Sequence, residues 1–557
     1  MKKSKHLIFM SILVAFVFLV SACSSDSKES SDKKGNGGKD DKVLNLIEQA
    51  EIPTGDPQLA TDKASANVLG QTLEGLYTLD KNDKPIPGIS DGEPQISKDG
   101  KEYTFKLKEN AKWSNGEPVT ANDFVYAWRR AVDPATGSEY AYMFSGVIKN
   151  AEDIMNKKAK PEELGVEATD DHTLKVTLEQ PVTYLNSLLA FDTYLPVNEK
   201  FVEEKGKKFG TNSDNMLANG PFVLKNWDGS GLTWSFEKND QYYDKDKVSL
   251  DKVNVQVAKT PNTAVNLYNT GKADRTAALS AEYAKQYMNN KEASTFEEGS
   301  SWYLKFNQKR DGKATPLANK NIRKALAMAF DKKGYVDTVL SNGSVPTGGL
   351  VPRGLAKGPK SGKDFREESG DLMSYDVNKA KEYWKKGLKE LGVKELTLDY
   401  LSDDTENAKK TSEYFQSQLE TNLEGLKLNL SNIPFKVRID KTQKQDYDIV
   451  MHGWGPDYLD PMTFLDLYVT DGGNNQASIS NPKYDQLIND AKVKYANDPE
   501  KRWANMLEAE KILIQEDTSI APIYQRGRLV LKKPYVKNFE EHLFGPEYSL
   551  KNVKIEK

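Results

Sequence analysis

Apolar residues alternate with polar ones in several short stretches. Each alternation predicts a half-buried strand, because successive strand side chains point to opposite faces. Tyr103, Phe105 and Leu107 form one such stretch, Leu174, Val176 and Leu178 a second, and Leu232, Trp234 and Phe236 a third. Val253, Val255 and Val257 form a fourth, and Leu396, Leu398 and Tyr400 a later one; residues 43–47 read as the first strand of the folded part. Between these the spacing changes to three and four. Phe124, Ala127, Trp128 and Ala131 share a helical face behind Thr120 and Asp123, a capping-box pair. Ile322, Ala325, Leu326, Ala329 and Phe330 form another stripe. Asp376 is placed to cap a helix carrying Ala380, Trp384, Leu388 and Leu391 and ending at Gly392. Trp503, Met506, Leu507, Glu510 and Ile514 make a last stripe, apolar with one charged interruption. Residues 343–362, rich in glycine and containing Pro346, Pro352 and Pro359, read as an extended surface crossing. The mixture predicts an α/β class with mixed α+β elements. Its strands are too irregularly placed for a barrel of eight βα units.

The chain opens differently. Lys2, Lys3 and Lys5 precede an apolar run over residues 7–20, broken only by Ser11. That run is shorter than the roughly 20 residues a spanning helix needs, and it ends Val20-Ser21-Ala22-Cys23, with small residues before a cysteine. Residues 1–22 therefore read as a secretory leader with a bacterial lipobox, in which cleavage precedes Cys23 and the cysteine carries the lipid. The alternative is an uncleaved anchor with an incidental cysteine. Cys23 is the sole cysteine, so it has no disulfide partner within the chain. Residues 24–42 are rich in Ser, Lys, Asp and Gly and read as a flexible tether. Residues 43–557 are too many for one core, so two or three lobes are expected. Loss of the leader takes the formal charge from −4 to −7, which leaves no basic footprint for nucleic acid.

Catalytic constellations are absent from the sequence pattern. His6, His172, His452 and His542 show no metal-ligand spacing. There is no Gly-x-Ser-x-Gly elbow, Walker loop or dinucleotide fingerprint. Pairs such as Asp403-Asp404 are most simply solvated surface in a chain with 82 acidic residues. The expectation is a protein that is not an enzyme and needs neither cofactor nor metal.

Residues 111–130 read A-K-W-S-N-G-E-P-V-T-A-N-D-F-V-Y-A-W-R-R. Further along stand Asn219-Gly220-Pro221-Phe222, N-I-R-K-A-L-A-M-A-F-D at 321–331, D-Y-D-I-V-M-H-G-W-G-P-D-Y at 446–458, and Ala521-Pro522-Ile523-Tyr524. In this order these motifs closely resemble the extracytoplasmic oligopeptide/dipeptide/nickel solute-binding proteins of ABC importers, over essentially all of residues 43–557. The likeness is nearest to oligopeptide-binding lipoproteins of Gram-positive bacteria.

The resemblance implies a two-lobed, periplasmic-binding-protein-like hinge fold with an accessory domain. Mapped here, lobe I would comprise 43–73, 203–305 and 528–557, the accessory domain 74–202, and lobe II 306–527. A peptide would lie extended between the lobes, held by main-chain hydrogen bonds that do not read its sequence. Gly453, Trp454 and Gly455 would contribute from lobe II, and the segment Thr61, Asp62, Lys63 and Ala64 from lobe I. Asp457 matches the family's aspartate for the peptide's α-amine; read alone, Pro456-Asp457 is a common turn pair. Tyr140, Trp302, Tyr303 and Tyr524 are further candidates for the cleft wall, or else core aromatics. The family arginine that helps receive a short peptide's carboxylate is replaced by Met451, with Arg438 and Lys436 as substitutes of unassigned position. The implied partners are oligopeptides, the permease and ATPase subunits, and the membrane through the lipid on Cys23. The implied setting is the outer face of a Gram-positive membrane, with the protein a monomer. A pheromone receptor, or a binder of dipeptides or a chelated metal, would use the same fold.

Overall fold

A computed structural model describes residues 42–557 apart from 434 and 473. The leader, Cys23 and the tether before residue 42 lie outside the described residues.

Three larger sheets organise the chain. The first is four-stranded. Val43–Glu48 runs parallel to Lys252–Val257, which pairs antiparallel with Thr233–Lys238, itself paired to Phe222–Lys225. Its register places Leu44 beside Val253 beside Phe236, and Leu46 beside Val255 beside Trp234, so the alternation on each strand builds one buried layer. The expected stretch at 232–236 begins one residue too early. The strand starts at Thr233, and the Leu232 side chain is 45% exposed although its carbonyl accepts a hydrogen bond from Val257 N.

The second sheet, also four-stranded, pairs Glu102–Lys106 with Thr173–Thr177, with Phe105 opposite Leu174 and Tyr103 opposite Val176. Helix Ala121–Val132 packs Phe124, Ala127, Trp128 and Ala131 into the same core. Asp123 closes the start of that helix by accepting from Thr120 N at 2.7 Å, and also accepts from the Trp113 indole at 3.2 Å. Gly116 takes φ 90°, which the tight turn before the helix requires.

The third sheet has six strands in the order Val345–Pro346, Ile520–Leu531, Ala293–Phe306, Ile449–Trp454, Leu396–Asp403 and Leu426–Ile433. Two of them are unusually long and pair with each other from Ala293 opposite Leu531 to Lys305 opposite Ile520. At one end Leu529 and Leu531 sit in a small core with Val265 and Tyr268; at the other Tyr303, Phe306, Ile520 and Ile523 sit in the largest core. The pair therefore carries the chain from one core to the next twice, and its register is interrupted between Glu297 and Ser301. Such a bulge bends a strand locally.

Helix Lys320–Met328 buries Ile322, Ala325 and Leu326 in the largest core. Helix Val377–Leu391 begins at Asp376, whose carboxylate accepts Lys379 N at 3.0 Å, and ends at Gly392 in the left-handed conformation. One expectation is corrected, through a buried charge. The charged interruption on the last long helix, Glu510, is 0% exposed and forms a double ion pair with Arg366 at 2.7 and 2.8 Å. It also accepts the backbone N–H groups of Leu350 and Val351, each at 2.9 Å. For that reason the passage 343–362 is not wholly a surface crossing: Glu510 draws Leu350 and Val351 into the core.

Candidate functional site

Strand Ile449–Trp454 lies antiparallel to Ala293–Phe306, with Gly453 opposite Trp302 and Trp454 opposite Ser301. Gly453 is required there, because a Cβ at this position would fall 2.6 Å from the Trp302 ring. Beyond Trp454 the chain leaves the sheet, and the loop 455–461 is fixed at several points. Asp457 N donates to Thr463 Oγ1 at 3.0 Å. Tyr458 stacks on Tyr184 with ring centroids 4.3 Å apart. Asp460 receives both Arg502 guanidinium nitrogens at 2.7 and 2.8 Å. These contacts hold the Asp457 side chain, 6% exposed, at the wall of a cavity of about 170 Å³.

The cavity gathers residues remote in sequence: the turn into helix Lys63–Thr72, Tyr140, Phe191 and Asp192, the segment 453–457, and Gly545. Of the residues singled out above, Thr61, Lys63, Tyr140, Gly453, Trp454, Gly455 and Asp457 line it. Ala64 does not; it sits in the first turn of its helix, half-buried. Trp302, Tyr303 and Tyr524 belong to the neighbouring core. Trp302 stacks on Tyr524, centroids 6.0 Å apart and planes 3° from parallel, and the buried Tyr303 hydroxyl is hydrogen-bonded to His452 Nδ1 at 3.2 Å. Arg438 pairs with Asp403 at 2.7 Å, and Met451 is buried; the side chain of Lys436 lies outside the described residues.

Sequence reasoning missed five residues that line the cavity: Ala60, Ala66, Phe191, Asp192 and Gly545. Asp62, inside the expected lobe I segment, lines the cavity and also caps its helix by accepting Ser65 N at 2.9 Å. Phe191 and Asp192 follow an apolar run that reads as core, so nothing in the sequence marked the acid as facing a cavity. Beside the cavity, Tyr142, two residues after Tyr140 in the 3-10 helix Glu139–Phe144, donates its hydroxyl to Asp457 Oδ2 at 3.0 Å.

The electrostatics follow from burial. Loss of water pushes the Asp457 carboxyl up from 3.8 to about 7, against the opposing effects of the Tyr142 hydroxyl, the Lys63 charge and the Thr463 hydroxyl. Burial likewise raises Asp192 to about 7, opposed by Lys63 and reinforced by Asp62. The Lys63 ammonium itself donates to Gly545 O at 2.9 Å. Among the described residues no cation forms an ion pair with Asp457, and no group of three His, Cys, Asp or Glu side chains is placed to hold a metal. The arrangement can thus take up an ammonium group at a buried carboxylate, beside glycine backbone that leaves room for a chain.

Comparison with known proteins agrees with this architecture. The profile of the bacterial extracellular solute-binding proteins, family 5, middle region, matches residues 57–476. The chain is 54% identical to OppA of Listeria monocytogenes, solved bound to peptide, at a TM-score of 0.82 over 93% of this chain and 100% of that one. It is 37% identical to the oligopeptide-binding protein OppA of Bacillus subtilis, covering 92% of this chain and 93% of the relative. It is 34% identical to a dipeptide-binding protein of Lactococcus lactis, over 100% of both chains. The mixed α/β fold is accordingly the two-lobed one of these binding proteins, and the chain belongs to the bacterial extracellular solute-binding proteins of family 5.

Proposed function

We propose that the chain is the substrate-binding lipoprotein of an ABC importer, and that it captures extended peptides by the amino end and delivers them to a membrane permease. One observation carries the reading: Asp457 is a buried carboxylate at a cavity wall, held by the Tyr142 hydroxyl and paired with no cation of the described residues. A charge in that position is retained where a ligand supplies its partner. The α-amine of a peptide is such a partner. The cavity, at about 170 Å³, is smaller than the roughly 300–1,000 Å³ of ordinary ligand pockets. It fits the first residue of a peptide, and the remainder would extend along Gly453-Trp454-Gly455 when the lobes part. In this reading the lobes have the limits given by the sequence, the accessory domain supplies Tyr140 and Tyr142, and Ala293–Phe306 with Ile520–Leu531 form the hinge.

Anchoring follows the same logic. No helix of the described residues is long and apolar enough to cross a membrane. A lipid on Cys23 would hold the receptor beside its permease, on the outer face, while residues 24–42 let both lobes move. A single acyl chain holds weakly and two hold stably. The reaction is binding alone, without bond making.

The reading is tested by mass spectrometry of the material released when the purified protein is denatured. A ladder of short peptides with free amino ends is expected. Release of a single non-peptide compound, and no affinity for added peptides, would overturn the reading.

A further inference from the structure

Three carboxyl groups line the cavity, and the reading above employs one. Asp62 is committed to its helix, accepting both Ser65 N and Ser65 Oγ, at 2.9 and 2.8 Å. Asp457 is held for the amine. Asp192 is left over. It opens the 3-10 turn Asp192–Tyr194, directly after Phe191 on the cavity wall, and is 6% exposed. No hydrogen-bond donor and no cation of the described residues is bonded to its carboxyl; only its backbone carbonyl is engaged, by Leu195 N at 3.0 Å. A buried polar group left without a partner costs stability, and folded proteins keep few of them. This one faces an open cavity rather than the packed core.

The placement argues for two cations rather than one. The Tyr140 hydroxyl feels the charge of both Asp457 and Asp192, and the two acids reach the cavity from separate segments, Asp192 from its 3-10 turn and Asp457 from the loop after Trp454. The local charge agrees: among the described residues Lys63 is the only cation lining the cavity, against three carboxylates. A peptide's α-amine offsets one of the two that remain.

We propose that Asp192 forms a second cation subsite in this cavity, receiving the side-chain ammonium or guanidinium of a basic first residue while Asp457 holds the α-amine. The inference rests on the reading that a peptide's amino end enters here. It makes the receptor selective at one position, although main-chain contacts leave the rest of the peptide unread. Carboxylates suit this task, since a charge-assisted hydrogen bond is about twice as strong as a neutral one.

The test is calorimetric titration with two tetrapeptides that differ only at the first residue, lysine in one and norleucine, of similar length without the charge, in the other. The wild type should bind the lysine peptide about tenfold more tightly or better. Asp192→Asn should abolish that preference while keeping its affinity for the norleucine peptide within about twofold. Asp457→Asn should weaken both peptides and leave their ratio standing. Lys63→Met should keep the preference, which excludes the possibility that Lys63 swings over to serve Asp192. Equal affinities in the wild type, or a preference that survives Asp192→Asn, would overturn the subsite. The wild-type ratio decides even if Asp192→Asn fails to fold. Binding of both peptides without preference refutes only the subsite, whereas binding of neither refutes the peptide reading beneath it.

Discussion

Asp457 links the chemistry of the site to the stability of the fold. Its carboxyl is raised from 3.8 to about 7 by burial, so between these values the folded chain holds a proton that the unfolded chain has released. Stability therefore falls as pH rises through that window, and the full cost is present above about pH 7. A shift of this size corresponds to on the order of 4 kcal/mol. Asp457→Asn is expected to raise the denaturation midpoint of the ligand-free protein at pH 8 and to leave it unchanged near pH 4. A variant no more stable than wild type at pH 8 would contradict the buried charge. Affinity for a peptide with an uncharged first residue should run the other way. Below pH 7 the carboxyl must lose its proton before it pairs, so binding weakens by up to about tenfold per pH unit. Above pH 8 the amine, with an ordinary value of roughly 7.7–8.0, loses its charge. An optimum between these limits is expected, with Lys63, Asp62, Asp192, Tyr140 and Tyr142 as the other titratable groups around the cavity. The binding segment was legible at this scale because it is contiguous: one motif carries Gly453, Trp454, Gly455 and Asp457. Tyr142 and Asp192 were not legible, since their meaning depends on which distant loop they face.

Among the elements, the Glu510 carboxylate ties the last long helix to the passage 343–362 and to Arg366. Glu510→Ala would strand the Arg366 charge and two backbone N–H groups in the core. Loss of a partner from a buried pair costs about 3–5 kcal/mol. We expect a lowered thermal midpoint and new protease cleavage between residues 354 and 363; an unchanged melt would show that the pair supports nothing. Periodicity could not find this contact. It marked Glu510 as an interruption of an apolar stripe, because a stripe records which face is buried and not which buried charge meets a partner 144 residues away. Where a pattern was set by local physics it held: Asp376 begins its helix, Gly392 ends it, and Val253 and Val255 face inward. Leu232 failed for the converse reason, since an apolar residue at a strand's edge has no neighbouring layer to pack into.

For the whole molecule, two long strands join a small core to the largest one, and their pairing is broken near residue 299, where a Cβ would lie 2.9 Å from Pro456 Cγ. Breaks of this kind are where a two-lobed fold bends. Small-angle scattering is expected to show a smaller radius of gyration on addition of a binding peptide, and no change with its N-acetylated form; contraction with both would remove the amine from the closing mechanism. Sequence motifs indicated the fold as a whole, because their order survives divergence. The enclosure of the cavity by residues 60–63, 66, 140, 191–192, 453–457 and 545 is a product of tertiary packing and had no sequence pattern of its own.

The central claim, that Asp457 receives a peptide's α-amine, is tested most directly by titrating wild type and Asp457→Asn with one tetrapeptide in free-amine and N-acetylated forms at pH 7.5. The account predicts tight binding only for the free amine on wild type. Acetylation and substitution should each cost about 3–5 kcal/mol, and the two together should cost little more than either alone. Equal affinity of both proteins for the free-amine peptide would contradict it.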